Sequence, residues 1–192
     1  SICRALSICD KKFKICSKNS LSYNLKNSNC LIIPGVGSYD KASEYLHTND
    51  LVEPIKEFAS SGHMIIGICL GFQILFEEGS EGGKLSKGLG LINGKVDDSS
   101  IIFGKNPFYG RSLNIGWRKA FSREFKGDID QNYFYFVHRY LIKNPPKNVN
   151  SIYSFVDKER KFLAGINKEN IFGYQFHPEK SGLVGIKLLK NT

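Results

Sequence analysis

Cys69 is the residue whose surroundings most favour chemistry. It lies in the run Gly67-Ile-Cys-Leu-Gly71, between two glycines and next to apolar residues. Glycines two residues before and after a nucleophile permit the sharp turn from strand to helix called a nucleophile elbow, here with sulfur in place of a hydroxyl. At the start of a helix, free N–H groups favour a thiolate. The pattern predicts a catalytic nucleophile, and a buried structural cysteine is the alternative.

A cysteine nucleophile needs a base, and His177 is the best placed of the four histidines. It follows an apolar run at residues 171–176, and catalytic groups collect where strands of an open parallel sheet end. Glu179 is two residues further on, so an extended backbone would place both side chains on one side. A carboxylate there orients the imidazole and stabilises its cation. We therefore predict a Cys69–His177–Glu179 triad, with an ordinary loop histidine as the alternative.

A second glycine-rich turn, Pro-Gly-Val-Gly-Ser at residues 34–38, also follows an apolar strand-like run. Gly35 and Gly37 allow the backbone to approach a ligand closely. The N–H groups near Val36 and of Leu70 are therefore predicted to form an oxyanion hole. A phosphate-binding loop is the alternative, but no GK[ST] or GxGxxG pattern follows.

The first half of the chain alternates short apolar runs with segments of helical spacing, joined by short links. Such alternation predicts a parallel sheet with right-handed crossovers. The predicted helices are residues 1–6, 40–60 and 72–76, and the predicted strands are residues 11–16, 29–33 and 64–68.

The second half consists mainly of strand-like runs separated by turn residues, which predicts antiparallel hairpins added to the parallel core. The overall expectation is an α/β fold of three layers with a mostly parallel central sheet between helices. The predicted strands are residues 88–96, 113–121, 133–140, 152–155, 162–167 and 171–176, and residues 182–190 form a last helix.

The length of 192 residues favours one domain, residues 1–192, with a single buried core. No window is apolar for long enough to span a bilayer, and the start SICRAL lacks the features of a signal peptide. We therefore expect a cytoplasmic protein with no membrane partner. Residues 1–6 look like the inside of a helix with nothing before it, so we expect that the first strand and turn of the fold are missing.

The net charge of +9 suggests nucleic-acid binding, but the lysines are scattered and form no dense basic helix. We predict no nucleic-acid partner, and the charge suits an acidic protein or an anionic substrate. The five cysteines are odd in number and contain no CxxC, which disfavours a disulfide framework or a zinc site. We expect no metal and no cofactor, and we interpret the four cysteines other than Cys69 as small core residues.

Two runs carry a family resemblance. Gly-Ile-Cys-Leu-Gly-Phe-Gln at residues 67–73, with Phe-His-Pro-Glu at residues 176–179, resembles the class I glutamine amidotransferases. Four shorter runs resemble the glutaminase subunits of imidazole glycerol phosphate synthases within that class. They are residues 34–38, Gly-Leu-Gly-Leu-Ile at 88–92, Ile-Gly-Trp at 115–117 and Tyr-Phe-Val-His at 135–138.

The resemblance implies a class I glutaminase-like fold and a glutaminase with no cofactor. The thiolate would attack the side-chain amide of glutamine, and glutamate and ammonia would leave through a thioester. The ammonia would pass to a (β/α)8-barrel cyclase subunit, the partner in a heterodimer of histidine biosynthesis. The substrate-binding residues that it implies are Gln73, Tyr135, His138 and Arg139.

The sequence departs from the family pattern at three positions. Arg118 stands where Asn is usual, Arg139 where Ser is usual, and Asn93 where Pro is usual. Arg118 bears on the partner surface and Arg139 on substrate binding. The alternatives are a related glutaminase that feeds a sugar amidotransferase of surface polysaccharide synthesis, a peptidase or thiol hydrolase with the same elbow, and a silent interaction subunit.

Overall fold

The computed structural model describes residues 1–81, 83–108, 110–122, 129–143, 146–147 and 149–192. Seven α-helices lie in this part of the chain: α1 (Ile2–Ile8), α2 (Leu21–Leu25), α3 (Tyr39–Thr48), α4 (Val52–Ser60), α5 (Leu70–Ile74), α6 (Ser99–Phe103) and α7 (Gly182–Asn191). The strands are β1 (Cys30–Ile33), β2 (Met64–Ile68), β3 (Phe76–Glu81), β4 (Lys84–Lys87), β5 (Ile92–Asp98), β6 (Asn114–Lys119), β7 (Tyr133–His138), β8 (Tyr140–Ile142), β9 (Asn150–Phe155), β10 (Lys161–Lys168) and β11 (Ile171–Tyr174).

A five-stranded sheet in the order β1-β2-β11-β10-β9 forms the middle layer. Strands β1, β2 and β11 are parallel, and β10 and β9 add an antiparallel extension. Neighbouring residues of β2 face opposite sides, as the pleat requires, so Ile65 joins one apolar cluster and Ile66 another. Helices α3 and α4 pack on the first side and α7 on the second. The expected three-layer α/β fold is confirmed.

Two smaller sheets complete the fold. Strands β4, β3, β5 and β8 form one, and the antiparallel pair β6–β7 forms the other. On β7 the side chains alternate, with Phe134, Phe136 and His138 buried against the core. The predicted antiparallel additions are thus present, and the β6–β7 hairpin brings one edge to the carboxyl end of the central sheet, where Cys69 lies close to Val137.

The strand predicted at residues 11–16 is wrong. These residues form no strand, and Phe13 and Ile15 are largely exposed. An extended segment becomes a strand only where a neighbouring strand satisfies its backbone N–H and C=O groups. The interpretation of four cysteines as small core residues is confirmed for Cys9, which is buried, and is wrong for Cys16 and Cys30, which are exposed.

The helix predicted at residues 40–60 is two helices. Asp50 has a φ of 53°, a left-handed conformation that cannot continue a helix, and α3 and α4 lie on either side of it. Gly62, also with positive φ, follows α4 as predicted.

The helix predicted at residues 72–76 begins earlier and ends at Ile74. The N–H of Leu89 binds the carbonyl of Ile74 at 2.8 Å, and that of Leu91 binds the carbonyl of Leu75 at 2.9 Å. These contacts take the carbonyl groups that a further turn would use, so the chain enters β3 at Phe76. For the same reason the strand predicted at residues 88–96 starts only at Ile92.

The run predicted as one strand at residues 133–140 is divided at Arg139. Strand β7 pairs with β6, whereas β8 pairs with β5 in the other small sheet.

Among the described residues, no helix combines the length and apolar character needed to cross a membrane.

Candidate active site

Cys69 lies on the predicted sharp turn between β2 and α5. Its φ of 53° and ψ of −106° are strained for a residue with a side chain, and its N–H is held by the carbonyl of Tyr174 at 2.7 Å. Gly71 makes the turn possible, because a Cβ there would lie 1.8 Å from the carbonyl oxygen of Ile33. A Cβ on Gly67 would lie 2.6 Å from the carbonyl oxygen of Gly71. Both positions therefore require glycine.

Gly35 packs directly against this turn. A Cβ on it would lie 2.1 Å from the oxygen of Ile68 and 2.2 Å from the nitrogen of Leu70, so the two glycine-rich turns interlock through backbone atoms. One residue later the chain leaves the core, and Val36 is 88% exposed. Leu70 begins α5, and the first N–H groups of a helix have no acceptor within it. The backbone predicted to form the oxyanion hole is thus gathered beside Cys69.

His177 and Glu179 form a close buried pair. His177 Nδ1 lies 2.8 Å from Glu179 Oε1, and the side chains are 3% and 6% exposed. A short turn at Pro178–Lys180 brings the carboxylate back under the ring. Because Nδ1 is taken by Glu179, Nε2 is the ring nitrogen left for Cys69.

The charges of the three groups are coupled. Burial alone would lower the pKa of His177, but hydrogen bonds to Cys69 and Glu179, with their negative charges, raise it to about 9. Burial raises the pKa of Glu179, yet its hydrogen bond to His177 and the charge of that ring hold the value below the usual range. The arrangement favours an imidazolium beside the Glu179 carboxylate, the state that the acid–base partner of a cysteine nucleophile must reach.

Ser181 fixes the backbone of this pair, although no signal in the sequence pointed to it. Its Oγ donates to the carbonyl of His177 at 2.6 Å and accepts from the N–H of Tyr135 at 3.0 Å. The N–H of His177 in turn donates to the carbonyl of Tyr135 at 2.9 Å. His177 is therefore held by β7 as well as by the end of β11.

A cavity of about 340 Å³ opens above Cys69 and His177. The predicted residues that line it with them are Gly35, Val36, Gly37, Leu70, Gln73, His138 and Arg139, and the lining residues that sequence reasoning missed are Glu81, Val137, Tyr140 and Lys180. Glu81 is the last residue of β3, a strand that was not predicted, and its place at the end of that strand brings it to the cavity.

Gln73 and His138 are more constrained than the sequence suggested. Gln73 Nε2 donates to the carbonyl of Tyr140 and to Gln175 Oε1, both at 3.0 Å. His138 Nδ1 donates to the same carbonyl at 3.1 Å, and its Nε2 lies 2.8 Å from Asn114 Nδ2. Burial lowers the pKa of His138 to about 3, so the ring is neutral.

The remaining predicted residues lie around this centre. Arg139 lines the cavity and donates from Nε to Asp98 Oδ2 at 2.6 Å. Tyr135 is not among the lining residues and contacts the site through its backbone. Arg118 donates to Asn114 Oδ1, and its guanidinium lies 5.2 Å from the ring centre of Phe108.

Comparisons with known proteins agree with this geometry. The family model "Glutamine amidotransferase class-I" matches residues 1–192. The imidazole glycerol phosphate synthase subunit HisH of Helicobacter hepaticus is 41% identical over 171 residues, 87% of this chain and 76% of that protein. The HisH subunit of Sulfolobus acidocaldarius is 42% identical over 176 residues, 90% of this chain and 83% of that protein.

Solved structures share the fold. A crystal structure of a glutamine amidotransferase has a TM-score of 0.70 at 14% identity and covers 97% of this chain and 88% of its own. The structure of PurLQS from Thermotoga maritima has a TM-score of 0.59 at 20% identity, with coverage of 84% and 77%. From the matching family model, and from the HisH relatives at about 40% identity, the chain belongs to the class I glutamine amidotransferase family.

Proposed function

We propose that this chain is the glutaminase subunit of an imidazole glycerol phosphate synthase, which hydrolyses glutamine and supplies ammonia for histidine biosynthesis. The observation that carries the proposal is the buried His177–Glu179 pair at 2.8 Å, hydrogen-bonded to Cys69 at the base of a cavity. A base held by a carboxylate beside a cysteine is the arrangement that nucleophilic cleavage of an amide needs.

The reaction proceeds in two halves. The thiol proton of Cys69 passes to His177, and the thiolate attacks the side-chain amide carbon of glutamine. His177 then protonates the leaving nitrogen, the C–N bond breaks, and a glutamyl thioester remains. Water gives a proton to His177 and attacks the thioester, the C–S bond breaks, and glutamate leaves.

The negative charge that develops on the amide oxygen requires donors within the cavity. The N–H groups of Val36 and Leu70 fill this role, and the interlocked glycines bring the two backbones together. Gly37, with a φ of 124°, allows the loop to turn away immediately afterwards. These donors belong to the backbone and are independent of side-chain identity.

The amino-acid end of glutamine carries an ammonium and a carboxylate. Both N–H groups of Gln73 are engaged with Tyr140 and Gln175, so Gln73 offers only its carbonyl oxygen and binds the ammonium. Glu81 lines the same cavity with a carboxylate of the right sign for that ammonium. Arg139 is the cation for the substrate carboxylate.

The ammonia is passed to a (β/α)8-barrel cyclase subunit through a closed channel, because ammonia released into water would be protonated and lost as a nucleophile. The outer face of β6–β7 supports a docked partner. Ile115, Trp117 and Tyr133 are each at least half exposed there, and Val137 on the same face lines the cavity.

We place the reaction in the cytoplasm, where a reducing environment suits the five unpaired cysteines.

The relatives favour this acceptor over a sugar acceptor. Those described above are HisH subunits of imidazole glycerol phosphate synthase, and they match 87–90% of this chain. Arg118 stands where Asn is usual in the family. Its side chain donates to Asn114 Oδ1 within the β6–β7 hairpin.

The proposal is tested by measuring glutamate release with and without the barrel partner and its ligand. Cys69→Ala should abolish hydrolysis, whereas Cys16→Ala, which changes an exposed thiol far from the cavity, should not change it. Full hydrolysis by Cys69→Ala would refute the nucleophile. Stimulation by a sugar-modifying partner and not by the cyclase would refute the acceptor.

A further inference from the structure

Gln175 is a fully buried glutamine, 0% exposed, that lies directly beside the nucleophile. Its Nε2 is 3.8 Å from Cys69 Sγ, within hydrogen-bonding distance of sulfur. Its backbone N–H donates to the carbonyl of Ala164 at 2.8 Å, which extends the pairing of β11 with β10 by one residue. Gln175 and His177 both follow the end of β11, and both side chains reach Cys69 from there.

The orientation of the Gln175 amide follows from its neighbours. The carbonyl of Tyr140 can only accept, so the atom of Gln73 that faces it at 3.0 Å must be the nitrogen. That nitrogen also lies 3.0 Å from Gln175, which must present its oxygen to it. The Gln175 nitrogen therefore faces Cys69 Sγ as a donor.

The hydrogen bonds of His138 are compatible with this orientation. Because His138 is neutral, it carries one ring proton, and the contact with the Tyr140 carbonyl at 3.1 Å places that proton on Nδ1. The other ring nitrogen accepts from Asn114 at 2.8 Å. All donors thus point in a consistent sense, and reversal of the Gln175 amide would leave the N–H groups of Gln73 and Gln175 facing each other with no acceptor between them.

We propose that Gln175 is a further catalytic residue, whose amide N–H stabilises the Cys69 thiolate, with Gln73 as the residue that orients it. When the S–H bond breaks, the proton moves to His177 Nε2, and the sulfur becomes a strong acceptor for the Gln175 N–H. A donor to an ionised group forms a stronger hydrogen bond than a donor to a neutral one, so the contact favours the charged state. The inference rests on the proposed function only in taking that thiolate as the nucleophile.

The carbonyl of Val137 gives the neutral thiol a different partner. It lies 3.8 Å from Cys69 Sγ and accepts from the S–H group. A thiolate has no proton to offer this carbonyl and is repelled by it. Loss of the proton therefore exchanges the contact with Val137 for the contacts with Gln175 and His177.

The test is the pH dependence of Cys69 alkylation by iodoacetamide, without glutamine. Tryptic cleavage after Lys56 and Lys84 gives a peptide of residues 57–84 with Cys69 as its one cysteine, so mass spectrometry reads this thiol alone. In Gln175→Met, the midpoint of the alkylation profile should move up by about one pH unit. At a fixed pH below the midpoint, alkylation should slow about tenfold, as for loss of a hydrogen bond to a charged group.

Two further variants keep the test decisive. Gln175→Glu has the same shape but places a carboxylate beside the sulfur, so its midpoint should move further, and it replaces Gln175→Met if that variant does not fold. Ser154→Ala removes a buried hydrogen bond to the Lys119 carbonyl away from the cavity, and its profile should match the native one. Unchanged profiles in both Gln175 variants, or an equal shift in Ser154→Ala, would overturn the proposal. Because no glutamine is present, absence of glutaminase activity in the native protein would refute the proposed function and leave this result standing.

Discussion

The turn that carries Cys69 and the loop that carries Val36 contact each other, yet they are built in opposite ways. At the turn, Gly67 and Gly71 are so close to neighbouring backbone that neither can accept a Cβ, and the same holds for Gly35, where the loop meets the turn. In the loop, Val36 is 88% exposed, and a Cβ on Gly37 would meet only the end of the Leu70 side chain, at 3.7 Å. The proposed nucleophile is fixed by backbone packing, whereas the loop with the second proposed oxyanion donor is less tightly packed beyond Gly35.

This difference shows how one site can hold a strained backbone at Cys69 and still leave room for a substrate to enter. A strained φ at Cys69 persists because the surrounding backbone permits no alternative. The loop must leave room for glutamine to enter, so it contributes a backbone N–H without a packed side chain. The two halves should therefore respond differently to substitution.

Gly71→Ala should have the largest effect. Its Cβ would lie 1.8 Å from the carbonyl oxygen of Ile33, and neither backbone segment can move without disturbing β1 or the turn. The free energy of unfolding in urea should fall by at least about 3 kcal/mol, the upper end of overpacking costs. Gly37→Ala is the matched control and should cost about 1 kcal/mol, from its positive φ alone. Equal costs would show that the two regions are equally packed.

Val36→Pro removes the proposed oxyanion N–H without placing a side chain in the core. We expect kcat for glutamine hydrolysis to fall by about 10²–10³, as when one oxyanion donor is lost. Val36→Ala keeps the N–H and shortens an exposed side chain, so its free energy of unfolding should change by less than about 0.5 kcal/mol. A similar loss of kcat in both variants would mean that the side chain, and not the backbone, is what matters at this position.

The pH dependence of glutamine hydrolysis should report on the buried His177–Glu179 pair. Since the pKa of His177 is raised to about 9, hydrolysis should fall as the pH rises through that value and the imidazolium is lost. Glu179→Gln keeps the shape but removes the charge, so the alkaline limb should move to lower pH, while Glu57→Gln at an exposed site should not move it. An unmoved limb in Glu179→Gln would remove Glu179 from its assigned role.

The same shift predicts how stability depends on pH. A pKa raised from 6.5 to about 9 on folding means that the contribution of His177 is fully present below about pH 6.5 and is lost as the pH rises through 9. The free energy of unfolding of the native protein should decline across this window, and Glu179→Gln should show a smaller decline.

Much of the fold follows from local pattern. The short apolar runs that form β1, β2 and β11 and the glycines of the turn at Cys69 could be predicted from the sequence, because buried parallel strands and tight turns restrict residue type locally. The strand predicted at residues 11–16 is absent, because a strand needs a partner from a distant segment. The helix predicted at residues 72–76 is present but lies at Leu70–Ile74, because the N–H groups of Leu89 and Leu91 take the carbonyl groups that would continue it.

The sequence by itself determined the chemistry: a cysteine between two glycines, a histidine at a strand end and a glutamate two residues later. Their types and spacing are local, and so is the glycine requirement at the turn. Only the tertiary structure decided which other side chains meet them, because Gln73, Gln175, Tyr140 and Glu81 come from separate strands and a helix. Hydrogen-bond polarity in that group depends on distances across the fold, and no local pattern contains them. Cys69 is thus specified by its neighbours in sequence, and its environment by its neighbours in space.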